Sequence, residues 1–145
     1  MSKHNAALAL KQDDRPAALR RKPQERIKAV ELAQYKTEDE IQREVAAYLD
    51  LKLPKAWRWH HPPNGGWRKK ATAARLKEQG VKPGVPDVCI LRPNAPPIWI
   101  ELKAFGGTLT LAQKDFMQWC SEAKHPFRVC RSVGEVEVFL KEYLA

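Results

Sequence analysis

Two carboxylates and a lysine stand at spacings that could support hydrolysis of a phosphate ester. Asp87 precedes Glu101 by fourteen positions, and Lys103 follows Glu101 by two. If the two acids face each other they repel, and a divalent metal such as Mg²⁺ or Mn²⁺ is the usual cation to relieve this. Such a metal could activate water and neutralise charge on a phosphate. Lys103, expected to keep its positive charge beside two acids, would orient the water and stabilise the transition state rather than act as a base.

A β-hairpin is the element that would bring these residues together. The apolar runs 86–91 and 98–103 are typical of strands, and the segment 92–97, rich in proline, is typical of a turn. A turn centred near Asn94 places the two carboxylates opposite each other. The alternative is a purely structural one, in which Asp87 caps a turn and the second acid pairs with the lysine.

The alternation of side chains along these strands predicts which face is buried. Lys103 should share the face of Glu101. The opposite face should be filled by apolar residues, namely Val88, Ile90, Ile98, Ile100 and Leu102.

Three segments in this order resemble a known group of enzymes. They are Gly84-Val85-Pro86-Asp87, Ile100-Glu101-Leu102-Lys103 and Leu109-Thr110-Leu111-Ala112-Gln113. The set resembles the PD-(D/E)XK nuclease superfamily and, within it, the VRR-NUC branch with its small stand-alone phage-type members. The resemblance extends over roughly residues 37–144. It implies an α/β fold with a restriction-endonuclease-like core, a mixed β-sheet flanked by helices.

The same resemblance implies further site residues. The backbone carbonyl of Leu102 would be a third metal ligand. Glu38 resembles the first-helix glutamate of the superfamily, which would ligate a metal directly or through water, although Glu40 competes for this assignment. Gln113 matches the downstream glutamine that would contact the site, but a capping box with Thr110 explains it equally well.

The order of elements predicted along the chain is α-β-α-β-β-α-β-α. The first helix should begin at Thr37, which forms a capping box with Glu40. The strand–helix–strand step after Glu101 should be parallel. We therefore expect a nuclease-like domain over residues 37–145, preceded by a basic and flexible arm over residues 1–36.

The positive charge of the chain is concentrated in one region. The formal net charge is +9 and the isoelectric point about 9.6. Residues 55–82 contain eight basic residues and one acid, whereas residues 83–145 balance at seven of each. A local basic excess of this kind is typical of a nucleic-acid footprint.

Several residues in this region, together with Arg131, are candidates for DNA contact that does not read base sequence. The candidates are Trp67, Arg68, Lys69, Lys70, His60 and Arg131. Trp67 could stack on an exposed base or be an ordinary loop aromatic. Arg131, at the end of the last predicted strand, could reach the same groove or form a surface ion pair.

Together these features predict a metal-dependent DNA endonuclease. Stand-alone members of the family imply structure-selective cleavage of branched DNA such as a four-way junction, and two symmetric cuts would be supplied by a homodimer. The alternatives are a flap- or end-processing nuclease, a non-catalytic DNA-binding module on the same fold, and an RNA-binding protein. The three cysteines are expected to be free thiols, and the protein to be cytoplasmic, in the host cell if phage-encoded.

Overall fold

The computed structural model describes residues 36–63 and 70–144. Most of the predicted arm, 1–36, lies outside this range, as do Trp67, Arg68 and Lys69. The described residues form a mixed α/β structure in the predicted order, with helices α1–α4 and strands β1–β4. The helices are α1 (Glu38–Lys52), α2 (Lys70–Glu78), α3 (Leu111–Glu122) and α4 (Val133–Leu140), and the strands β1 (Arg58–His60), β2 (Val88–Arg92), β3 (Ala95–Leu102) and β4 (Phe127–Cys130).

The four strands form one sheet in the order β1-β2-β3-β4. The β1–β2 and β2–β3 pairs are antiparallel, and β3–β4 is parallel. The parallel pair is the one joined by α3, which confirms the strand–helix–strand prediction. A parallel pair needs a long crossover of this kind because a tight turn can join only antiparallel neighbours.

Helix α1 begins where its sequence predicts. Thr37 is the N-cap, its hydroxyl accepts from the Glu40 amide at 3.1 Å, and the Glu40 carboxylate accepts from the Thr37 amide at 2.7 Å. This capping box satisfies amides that the first helical turn leaves without partners. Ile41, Val45 and Leu49 form the buried stripe of the helix.

The β2–β3 hairpin has a tighter turn than the sequence predicts. Its register pairs Val88 with Ile100, and Arg92 pairs with Ala95 after a shift, so that only Pro93 and Asn94 remain in the turn. Asn94 adopts a left-handed φ of 55°, which asparagine tolerates better than most residues.

The prolines of the predicted turn in fact belong to β3. Pro96 and Pro97 lack an N–H but can still accept hydrogen bonds. The guanidinium of Arg92 donates to the Pro96 carbonyl at 2.8 Å from Nη2. This side chain supplies a donor to a strand segment in which two consecutive residues have none.

The core lies between one face of the sheet and helices α1 and α4. The apolar face predicted for the hairpin is confirmed, since all five of its residues are buried. They pack with residues of the two helices in one cluster, which includes Ile41, Val45, Leu49, Val136, Phe139 and Leu140.

The three cysteines are free and buried. Burial raises the pKa of Cys89 and Cys120 to about 11 and that of Cys130 to about 12. Thiols of this kind are poor nucleophiles at neutral pH. No helix in the described ranges is long and apolar enough to cross a membrane.

Candidate active site

Asp87 lies one residue before β2 and completes the hydrogen bonding of the neighbouring strand. The β2–β3 pairing ends at Val88 and Ile100. The next amide of β3 that points toward β2 is that of Leu102, and β2 has no residue left to pair with it. The Asp87 carboxylate takes its place, with Oδ2 accepting from the Leu102 amide at 2.8 Å. Asp87 is thus held beside Glu101, as the predicted register requires.

Glu101 is a buried acid on the sheet, with 2% of its surface exposed. Its Oε1 accepts from Gln113 Nε2 at 2.6 Å and lies 3.1 Å from Lys103 Nζ. Lys103 is itself 7% exposed. The pairing of Glu101 with Lys103, which the structural alternative required, is therefore present, but it lies within a larger cluster of charges.

Glu38 completes this cluster from the first turn of α1. Its Oε1 lies 3.8 Å from Lys103 Nζ. Glu40, its competitor in the sequence, is engaged in the helix cap. Of the two glutamates, Glu38 is the one placed at the cluster.

The site has more negative charge than its lysine neutralises. Burial, followed by the charge of Asp87, raises the pKa of Glu101 to about 7 from an ordinary 4.5. The pKa of Asp87 is also raised, chiefly by burial, against the opposing effect of its hydrogen bond to Leu102. A cation bound between these acids would offset the cost of burying their charges and would reduce their mutual repulsion.

Gln113 connects the start of α3 to the site. Its Oε1 accepts from the Thr110 amide at 2.8 Å, which closes a capping box, while its Nε2 donates to Glu101. Gln113 therefore both closes the helix cap and contacts the site, so the two interpretations from the sequence are compatible.

Gly84 sets the distance between the segment before Asp87 and the start of α3. Its φ is +84°, and a β-carbon there would lie 2.4 Å from the Ala112 carbonyl oxygen. Only glycine permits this approach, because a side chain would be strained by the dihedral and would overlap backbone. Ala112 precedes Gln113, so this contact also places the glutamine against Glu101.

We therefore expect Gly84→Ala to lower the free energy of unfolding by about 2 kcal/mol or more, through the clash and the dihedral together. Gly80→Ala is the matched control, because Gly80 has a similar φ of +93° but no atom within 4 Å of the added carbon. Urea unfolding of both variants separates the two causes. Equal losses would show that the contact with Ala112 contributes nothing.

His61, rather than the His60 that the sequence interpretation chose, is the histidine that contacts Asp87. Its Nδ1 donates to the backbone carbonyl of Asp87 at 2.5 Å. His60, the last residue of β1, is exposed like His61. The signal was present in the strand pairing, because His60 pairs with Cys89 and the next residue then approaches Asp87. The sequence alone does not reveal that β1 and β2 are neighbours.

The candidates for DNA contact are only partly described. Lys70 is the exposed first residue of α2, a helix that buries no residue and has Arg75 and Lys77 in its last turn. The guanidinium of Arg131 donates to the carbonyls of Ala104 and Gly107, at 2.7 and 2.9 Å. Its observed partners are backbone carbonyls rather than the carboxylate of a surface ion pair.

The donor set at the hairpin fits a hard divalent cation. Asp87 accepts the Leu102 amide through Oδ2, and Glu101 contacts Gln113 and Lys103 through Oε1, so these contacts engage one of the two oxygens of each carboxylate. Residues 36–63 and 70–144 include no group of three or more His, Cys, Asp or Glu side chains that could hold a metal. Two carboxylates are enough for Mg²⁺, which keeps several waters. Asp87 and Glu101 are the residues that would hold it.

The mixed sheet, with the opposed acids on its hairpin and helices beside it, defines a restriction-endonuclease-like core. The chain belongs to the VRR-NUC domain family, whose model matches residues 62–134, half of the chain. The matched span includes Asp87, Glu101, Lys103 and Gln113 and begins after Glu38. The family is of nuclease type, which implies DNA as the substrate, and it generally uses divalent metals. No curated protein and no solved structure matches the chain.

Proposed function

We propose that the protein is a metal-dependent DNA endonuclease that selects branched DNA, such as four-way junctions. The observation that supports this most directly is the pair formed by the half-buried Asp87 and the buried Glu101, both with raised pKa values, beside Lys103. Binding alone does not require acids at a surface that must approach phosphate, since they repel it. Their retention at that cost favours catalysis.

Each residue has a distinct role in this proposal. Asp87, Glu101 and the Leu102 carbonyl would hold Mg²⁺ or Mn²⁺, and the metal would supply Lewis-acid activation of water and of the phosphate. Lys103 orients the attacking water and stabilises the charge that develops on the phosphate. Gln113 holds Glu101 in place. Glu38 approaches Lys103 with its Oε1 3.8 Å from Nζ, and it would ligate the metal directly or through water.

Cleavage of a panel of labelled DNAs tests this function. Four-way junction, flap, duplex and single-stranded DNA should be incubated with Mg²⁺, Mn²⁺ or EDTA. We expect cleavage with either metal, fastest for the junction, and none in EDTA. Preference for the flap or for ends would support the alternative nuclease, and binding without cleavage of any DNA would support the non-catalytic module.

A homodimer is part of the proposal, because a junction needs two symmetric cuts. Helix α3 has exposed apolar side chains that a partner chain could cover, namely Leu111, Met117 and Trp119. Sedimentation of the free protein and of its junction complex measures the stoichiometry. Two chains per junction are expected, and one chain per junction would exclude the dimer.

The basic strip 68–70 is proposed to bind phosphate without reading sequence. We expect the triple variant Arg68→Glu, Lys69→Glu, Lys70→Glu to bind DNA weakly and with a flatter salt dependence. Each lost phosphate contact should lower the slope of log affinity against log salt by roughly 0.7–0.9.

Affinity across a salt series measures this slope. The variant Lys124→Glu, Lys141→Glu, which reverses two exposed charges outside the strip, is the control and should keep the wild-type slope. Equal slopes for the strip variant and wild type would show that the strip is ordinary solvated surface.

A further inference from the structure

The turn that follows Lys103 presents an aromatic side chain to solvent. Residues 104–107 form a turn closed by a hydrogen bond from the Gly107 amide to the Ala104 carbonyl, at 3.0 Å. Gly106 has a left-handed φ of +78°, as the third position of a type II turn requires. Phe105 occupies the corner before it and is 56% exposed. A phenylalanine left in water forgoes most of the stabilisation that its burial would bring.

The turn borders the acidic site. A β-carbon at Gly107 would lie 3.5 Å from Lys103 Cδ and 3.6 Å from Glu38 Oε1. Phe105 itself lies two residues after Lys103. A DNA strand with its phosphate at the acids would therefore have its bases near this corner.

The turn is also held rigidly from outside. Arg131 donates from its two terminal nitrogens to the carbonyls at the two ends of the turn, Ala104 and Gly107. The backbone of Arg131 is itself held in place, because the Arg131 amide donates to the Glu135 carboxylate at 2.6 Å. A ligand that stacks on Phe105 would therefore not have to order the turn first, which lowers the entropic cost of binding.

From these contacts we infer that Phe105 is a stacking platform for an unpaired DNA base next to the cleaved phosphate, with Arg131 as its positioning residue. Aromatic stacking accepts any base because every base has a π-face. It requires a base that is not stacked within a duplex, as at a branch or flap. The inference rests on the proposed function and assigns part of its structure selectivity to one side chain.

Fluorescence binding tests the inference without cleavage. The full chain with Asp87→Asn binds a duplex that contains one unpaired 2-aminopurine, and the same duplex with that base paired to thymine is the reference. In this background Phe105→Ala should weaken binding to the unpaired DNA by about 5- to 150-fold, the range of a lost base–aromatic stack. It should leave the paired duplex within about twofold and abolish the quenching of 2-aminopurine. Phe105→Trp should retain both affinity and quenching.

Two further variants separate stacking from general effects. Leu51→Ala removes another large exposed side chain, 77% exposed at the end of α1, and should change neither affinity. Arg131→Lys keeps the charge but cannot span two carbonyls. It should therefore reproduce the selective loss of Phe105→Ala. If Arg131 instead bound phosphate, the lysine would preserve binding to both DNAs.

The outcomes distinguish this inference from the proposed function. Unchanged binding and quenching in Phe105→Ala would overturn the platform while cleavage by the wild type stood. Quenching that depends on Phe105 in a protein that cuts no DNA would uphold the platform and overturn the nuclease. Binding of neither DNA would overturn both.

Discussion

Glu101→Gln is expected to abolish cleavage and to make the metal-free protein more stable. The amide keeps an oxygen for Gln113 and Lys103 but cannot supply a charged ligand. Loss of the Lewis acid removes several kcal/mol of transition-state stabilisation, so the rate should fall by roughly a thousandfold or more. DNA binding should persist or tighten, because a charge that repels phosphate has been removed.

The gain in stability has a definite pH dependence. The pKa of Glu101 is raised to about 7 in the folded protein from an ordinary 4.5. Between these two pH values the folded state binds more protons than the unfolded state, so the wild type loses stability as the pH rises. Glutamine does not ionise and avoids this loss. The advantage of the variant should be small at pH 4.5 and grow to roughly 2–3 kcal/mol above pH 7.

Cleavage assays in Mg²⁺ and urea unfolding in EDTA from pH 4.5 to 8 measure the two effects. Glu142→Gln, at an exposed glutamate near the end of the described chain, is the control and should match the wild type in both. A Glu101→Gln protein that cuts at the wild-type rate would contradict the assignment of the site. A stability difference independent of pH would contradict the raised pKa.

Asp87→Ala should also abolish cleavage but should cost stability relative to Asp87→Asn. Both variants remove the charge of the metal ligand, and we expect each to lower the rate by roughly a thousandfold. Only asparagine retains an acceptor for the buried Leu102 amide. A buried donor without a partner costs about 1–3 kcal/mol, so the alanine variant should be less stable by that amount.

Amide hydrogen exchange locates this difference at one residue. In Asp87→Ala the Leu102 amide should exchange faster than in Asp87→Asn, while the amides of the core helix α1 change only as global stability does. Equal exchange at Leu102 in the two variants would show that the carboxylate does not protect that amide.

The hairpin could be predicted from sequence because its signals are local. Alternation of apolar residues specified the buried face, and the turn residues between the strands brought Asp87 next to Glu101. Capping residues specified the start of α1 and of α3 in the same way. The predicted turn was too long because Pro96 and Pro97 belong to β3. Prolines usually interrupt strands, but here the Arg92 side chain donates to the Pro96 carbonyl.

The contacts that sequence interpretation missed join distant parts of the chain. His61 reaches Asp87 across 26 positions, and Arg131 reaches Ala104 across 27. Each contact depends on which strands and loops are neighbours in space. The periodicity of residues within one element does not specify those neighbours. The closeness of Gly84 to Ala112 was missed for the same reason, since a glycine before a strand is also compatible with an ordinary turn.

The two capping boxes found among the described residues end in different residues, and the difference reflects what the start of each helix faces. Thr37 pairs with Glu40, and Thr110 pairs with Gln113. For the helix alone the two are interchangeable, because each has an oxygen for the N-cap amide. At α3 a glutamate would add another acid beside Asp87 and Glu101, whereas the glutamine turns a donor toward Glu101. In this chain the glutamine of the second cap therefore marks a helix that begins against an acid.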